Sequence, residues 1–158
     1  MLGIDASAAA MRKASHRAAG PARRGGLSNA LFVASSLEAL PAELAGLASL
    51  VTVHFPWGSL LRAALGQDPA GTEMLVRLVA SGGRLRLLVS AAERDAGSEI
   101  AEIDPRNVTR AYERHGLIAA SCRPATGADV VEAHSSWGKR LLSSGSDRTA
   151  FLFELKAQ

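Results

Sequence analysis

The chain has 158 residues, 47% hydrophobic and 21% charged, a balance that fits one folded domain, 1–158, and excludes a disordered segment. No apolar run approaches the roughly 18–20 residues that span a bilayer, and the opening MLGIDASAAAMRK lacks both the basic start and the unbroken apolar stretch of a signal peptide. The expected setting is therefore cytoplasmic, and the single cysteine, Cys122, excludes an intrachain disulfide and is expected to fill a small space in the core.

Net charge is only +3, yet 15 of the 18 basic residues are Arg, and Arg12, Lys13, Arg17, Arg23 and Arg24 crowd the first 24 positions. That pattern suits phosphate contacts, although Arg can also replace Lys through nucleotide composition.

In chain order, LGID (2–5) reads as the tail of a strand and ASAAAMRKASHRAA (6–19) as an Ala-rich helix. GPARRGG (20–26) is a Gly/Pro loop, ALFVAS (30–35) a buried strand, and LEALPAELAGLA (37–48) a short helical connection split at Pro41. LVTVHF (50–55) is the next strand, followed by helical SLLRAALG and GTEMLVRLVA (71–80), broken around GQDPAG. GGRLRLLVS (82–90) reads as turn then strand, and PRNVTRAYERHG (105–116) as a helix with Pro in its first turn and Gly at its end. LIAASCR (117–123) and TAFLFELKA (149–157) are strands, separated by a segment with helical GADVVEAHSSWGKRLL (127–142).

Strands alternating with helices predict an α/β fold with a mainly parallel sheet. The last two strands lack a full crossover between them, so one of them is expected to run antiparallel. Ligands in such sheets sit beyond the carboxyl ends of the strands, which draws attention to Asp5, to SSLE (35–38) and to FPWGS (55–59). Asp5 could hold a ribose diol or cap the following helix. SSLE has the same ambiguity, between a helix cap and a polar edge beside an adenine ring.

Trp57 is hard to place in a core, because it stands between Pro56 and Gly58 where a strand ends. Proline fixes its own φ and glycine permits a tight backbone, so this turn would present the indole over the rim, ready to stack on a flat base or to cover the sheet edge. Trp137, in HSSWGKRL (134–141), is also followed by Gly, with Lys139 and Arg140 close behind. Two such rings could grip one planar substrate from opposite faces. The histidines add little: His16 and His115 fall on helix positions expected to be exposed, His54 at a strand end, His134 near Trp137. No His/Cys spacing suits zinc and no GxSxG or Ser-His-Asp order is present, so neither a metal nor a covalent nucleophile is expected.

The stretches GIDASAAAM, NALFVASSLEALPAELAGLASLVTVHFPWGSLLRAALG, GGRLRLLVS and SSWGKRL resemble, in order and over almost the whole chain, the kanamycin–apramycin resistance family of 16S ribosomal RNA adenine-N1 methyltransferases. The resemblance implies a class I S-adenosylmethionine-dependent, Rossmann-like sheet and methylation of N1 of a flipped adenine in the decoding-site helix of the 30S subunit. It implies that Asp5 holds the cofactor ribose and that Leu37 and Glu38 lie beside its adenine. It also implies that His54, Phe55, Pro56, Trp57, Gly58 and Ser59 line the cofactor pocket, with Ser135, Ser136 and Trp137 closing it. Trp57 and Trp137 match the aromatic pair that sandwiches the base. Arg17, Arg23, Arg24, Arg140 and Arg148 match the surface that docks on rRNA phosphates, in a protein expected to be a monomer with no membrane partner.

Members of that family begin with a strand and a GxGxG loop ahead of the strand ending in GID. Here the chain starts at Met1-Leu2-Gly3-Ile4-Asp5, and GPARRGG follows a helix rather than a first strand. The expectation is an N-terminally truncated enzyme that binds cofactor poorly and tends to aggregate. Micromolar S-adenosylmethionine affinity in isothermal titration of the 158-residue chain would overturn that expectation. Two other readings stay open: a non-catalytic remnant that at most binds RNA, and a small-molecule methyltransferase on the same fold.

Overall fold

A computed structural model describes residues 1–90, 103–135, 138 and 150–158. The chain forms two compact units, residues 1–41 and 42–158.

In the first unit, strand β1 (Leu2–Asp5) pairs in parallel with β2 (Leu31–Ala34), in a register that sets Leu2 against Leu31 and Asp5 against Ala34. Helix α1 (Ala8–Ala18) connects them, and its alanines lose almost no side-chain freedom on becoming helical. Its N-cap is Ser7, whose hydroxyl accepts from the Ala10 N–H at 3.3 Å. The loop after α1 folds into a 3-10 turn, Ala22–Arg24, that ends at Gly25 with φ 84°, a backbone that an L side chain would strain. The connection predicted at 37–48 is two short 3-10 turns, Leu37–Ala39 and Ala42–Leu44, with Pro41 between them.

The second unit holds a four-stranded sheet in the order β3 (Ala48–His54), β4 (Val79–Ser90), β6 (Ala150–Ala157), β5 (Leu117–Pro124). β3 and β4 are parallel, while β6 enters between β4 and β5 antiparallel to both, as the missing crossover predicted. β4 is the center of the core: Leu85, Leu87, Leu88 and Val89 are all buried, so both of its faces are covered. It starts at Val79, earlier than the sequence pattern suggested, and takes in the last two residues of the helix predicted at 71–80.

Helices α2 (Gly58–Ala64), α3 (Pro69–Arg77) and α4 (Pro105–Glu113) interlock through polar atoms at the end of α2. The Thr72 hydroxyl donates to the Ala63 carbonyl at 2.8 Å, and the buried Tyr112 hydroxyl reaches the Ala63 and Ala64 carbonyls at 3.4 and 3.2 Å. The Ala63 carbonyl also accepts the Gly66 N–H at 3.1 Å, so the Tyr112 hydroxyl matters most to the Ala64 carbonyl, one of those a helix leaves without an intrahelical partner at its C-terminus. Tyr112→Phe should therefore cost about 1–2 kcal/mol in urea denaturation, mostly by leaving a buried acceptor short of a donor.

Cys122 departs from expectation. It is exposed, because β5 is an edge strand and Cys122 lies on its more open second half. The helix predicted at 127–142 is described as α5 (Gly127–Glu132), which ends before His134, a residue with φ 48° that turns the chain.

Candidate functional site

In the first unit, Asp5 and the segment after β2 lie at the same end of the two-stranded sheet, where the Ser35 N–H donates to the Asp5 carbonyl at 3.0 Å. The Asp5 carboxylate accepts the Ser7 N–H at 2.7 Å through Oδ1. The cap of α1 is thus Ser7, and Asp5 is an exposed carboxylate that steadies the turn ahead of it. Leu37 is half-buried and Glu38 exposed on the 3-10 turn that follows. Arg17 in the last turn of α1, and Arg23 and Arg24 in the next turn, are all exposed.

In the second unit the end of β3 has an unusual backbone. Phe55 adopts φ 48°, a left-handed conformation that costs a bulky residue on the order of 1–3 kcal/mol. Two features hold it there. Its N–H donates to the Leu88 carbonyl at 2.7 Å, and its ring is buried in a cluster with Leu88, Val130 and Leu152. Turning Phe55 inward sends the chain outward: Pro56 is buried, and Trp57 is 80% exposed at the N-cap of α2. Gly58 follows with φ 59°, and Ser59 is exposed on the first turn. The indole is presented because the residue two positions earlier is anchored.

His54, half-buried at the tip of β3, has its imidazole pushed below the usual range by burial first and by the Arg86 charge second. A hydrogen bond with the Ala133 backbone and the charge of Glu132 pull the other way. Arg86 on β4 forms a forked pair with Glu132 at 3.1 and 3.2 Å, and its guanidinium stands 3.8 Å from both Asp129 and Glu154. Arg123 on β5 grips Asp129 at 2.7 and 2.8 Å. Asp129 also accepts the Thr126 hydroxyl and N–H, each at 2.7 Å, while Thr126 Oγ1 accepts the Asp129 N–H, closing a capping box at the start of α5. The Arg123 and Thr126 hydrogen bonds hold the Asp129 carboxyl well below the usual carboxylate range. These ion pairs are partly solvated, so their main consequence is to place α5 over the sheet.

A pH dependence follows. Because the folded pKa of His54 is lowered, the unfolded chain protonates first as pH drops. Its stabilizing contribution is complete above about pH 6.5 and shrinks as pH falls toward the lowered value. Asp129 behaves in the same direction lower down, losing its contribution below about pH 4. The melting temperature should therefore decline as pH falls below about 6.5, and His54→Gln should flatten that part of the curve.

Ser135 is half-buried just after α5, and its Oγ lies 3.4 Å from the Gly138 N–H. Ser136, Trp137, Arg140 and Arg148 lie outside the described residues. The structure adds residues that sequence reasoning did not single out. The Arg86, Arg123, Asp129, Glu132 and Glu154 network assembles from distant parts of the chain. Ser90, at the carboxyl end of β4, buries its hydroxyl without a hydrogen-bond partner among the described residues. Among those residues no group of three His, Cys, Asp or Glu side chains could hold a metal ion, and no helix is long and apolar enough to cross a membrane.

Parallel strands linked by helices and a last strand inserted antiparallel match the class I, Rossmann-like methyltransferase fold of known structures. Residues 1–157 match the family profile of NpmA, 16S rRNA (adenine(1408)-N(1))-methyltransferase. The chain belongs to this family. A 16S rRNA (adenine(1408)-N(1))-methyltransferase from Streptoalloteichus hindustanus is 33% identical over 156 residues, spanning 91% of this chain and 70% of the relative. The crystal structure of the 16S rRNA methyltransferase KamB superposes with a TM-score of 0.85 at 27% identity, covering 99% of this chain and 76% of that one. A tryptophan-to-alanine mutant of the enzyme from Catenulisporales acidiphilia, crystallized with its cosubstrate SAM, gives a TM-score of 0.81 at 26% identity, covering 99% of this chain and 74% of that one.

Proposed function

We propose that this chain is a single methyltransferase domain that transfers a methyl group from S-adenosylmethionine to N1 of a flipped adenine, A1408, in 16S rRNA of the 30S subunit, conferring aminoglycoside resistance. The observation that carries this reading is Trp57, a large ring 80% exposed on a turn held rigid from below. Exposure of that kind forfeits burial and suits a stacking platform.

The donor fits the residues present. Asp5 is an exposed carboxylate at a strand's carboxyl end, suited to a ribose diol, and Leu37 with Glu38 offers an apolar edge and an acceptor for adenine. The other residues that the family resemblance assigns to the donor are His54 through Ser59 and Ser135 through Trp137. When bound, S-adenosylmethionine supplies an electrophilic methyl group.

Adenine N1 already carries a lone pair, so the protein has no proton to remove before transfer. Its task is to hold the base out of the RNA helix, which costs a few kcal/mol, and stacking of about 1–3 kcal/mol on each indole offsets that. Trp57 and Trp137 grip the two faces and aim N1, which supplies acceleration through alignment. Their π faces also favor the positive charge that the ring acquires. Arg17, Arg23, Arg24, Arg140 and Arg148 contact rRNA phosphates and set the docking position, so recognition depends on RNA shape. We expect a monomer in the cytoplasm, where ribosomes are found, with no membrane partner.

Incubation of the chain with 30S subunits and methyl-labeled S-adenosylmethionine tests this reading. Label at N1 of A1408, seen as a primer-extension stop, is the expected result, and labeling of free nucleosides instead would contradict it. A second reading, a non-catalytic protein that at most binds RNA, is favored by the exposed Arg17, Arg23 and Arg24. It predicts cosedimentation with 30S subunits without transfer.

A further inference from the structure

We propose that Phe55, Val130 and Gly138 form a packed joint that sets the spacing between the strand outlet at 55–59 and the segment at 135–138, and that glycine is required at 138 because a side chain there would force the two apart. The inference rests on the reading that these segments grip one base. It concerns how their separation is held.

The geometry is steric. A Cβ built on Gly138 would stand 2.9 Å from Val130 Cγ1, 3.1 Å from Phe55 Cε2 and 3.3 Å from the Val130 carbonyl oxygen. The Gly138 backbone is not in the left-handed region, so close approach, and not conformation, makes the demand. Neither neighbor gives way easily. Phe55 is 7% exposed, tied to Leu88 through its N–H, and packed against Leu88, Val130 and Leu152. Val130 is also 7% exposed, on the short helix that the Thr126–Asp129 capping box and the Arg123 fork hold in place. The turn at His134 and the Ser135–Gly138 hydrogen bond bring the chain back onto this pair.

In sequence, Trp57 follows Phe55 by two residues and Trp137 immediately precedes Gly138. A shift at the joint therefore acts on the backbone two residues before Trp57 and on the residue that follows Trp137 in the sequence. In this joint Phe55 acts through its buried ring, and Phe55, Val130 and Gly138 are positioning residues that pack against one another.

The test uses the full chain as Gly138→Ala, Val130→Ala and the double variant, with two readouts. In methyl transfer to 30S subunits, Gly138→Ala should lower kcat about tenfold or more with KM nearly unchanged, since misplacement of about 1 Å can cost a hundredfold. Adding Val130→Ala removes the nearest clash and should recover most of that loss. In a Trp57→Phe background, Trp137 emission should become more accessible to acrylamide in Gly138→Ala and revert when Val130→Ala is added. Wild-type quenching in Gly138→Ala, or a loss that Val130→Ala fails to rescue, would overturn the joint. If the parent chain transfers no methyl at all, the methyltransferase reading fails, yet the fluorescence arm still decides the joint.

Discussion

Trp57→Ala is expected to lower methyl transfer to 30S subunits about a hundredfold while leaving the melting temperature within experimental error. The two halves of that result have separate physical origins. With 80% of the residue exposed and its side chain making no hydrogen bond to cap α2, truncation removes little packing and exposes no polar group. The flipped base, by contrast, loses one of its two stacking faces. Stacking of about 1–3 kcal/mol corresponds to roughly five- to 150-fold, and looser aim of N1 adds to it. Trp57→Phe keeps an aromatic face and should retain a substantial part of the rate. Single-turnover transfer with labeled donor, paired with thermal denaturation of the same samples, measures both halves. Near-normal transfer by a well-folded Trp57→Ala variant would rule out the stacking role.

The second large effect belongs to Phe55, and here stability changes first. Phe55→Ala should lower the free energy of unfolding by about 3–5 kcal/mol, the usual cost of emptying a buried aromatic site. The loss falls on the cluster with Leu88, Val130 and Leu152. Backbone strain makes a finer comparison possible. At φ 48° alanine retains the left-handed penalty, whereas glycine does not. Phe55→Gly should therefore be less destabilized than Phe55→Ala by about 1 kcal/mol, although its side chain is smaller. Urea midpoints for the two variants measure this directly. The reverse order would mean that the positive φ at Phe55 is not retained in solution. Together, Trp57 and Phe55 separate the working surface from the support beneath it.

The strand–helix alternation, the antiparallel last strand and the outlet at 55–59 were all legible in the amino-acid sequence. Each of them depends on patterns within a few residues: apolar runs of strand length, Pro at a helix start, Gly at a helix end, a Pro-Trp-Gly turn. The exposure of Trp57 was legible for the same reason, since a tryptophan between Pro56 and Gly58 has no periodic element to pack it. The choice between Asp5 and another residue as helix cap was not, because Asp5 and Ser7 are both good caps and only the path of the chain gives the role to Ser7.

By itself the sequence determined most of the strands, helices and turns, because hydrophobic period and turn chemistry act locally, while 37–48 and Val79–Ala80, read as helical, became 3-10 turns and part of β4. Tertiary structure alone decided that Phe55 turns inward, that Cys122 lies exposed on an edge strand, and that Gly138 meets Val130. It also decided that Arg86 pairs with Glu132, 46 positions away. Such contacts depend on strand order and register, which bring distant residues within a few ångströms and leave no mark on the residues nearby in the chain.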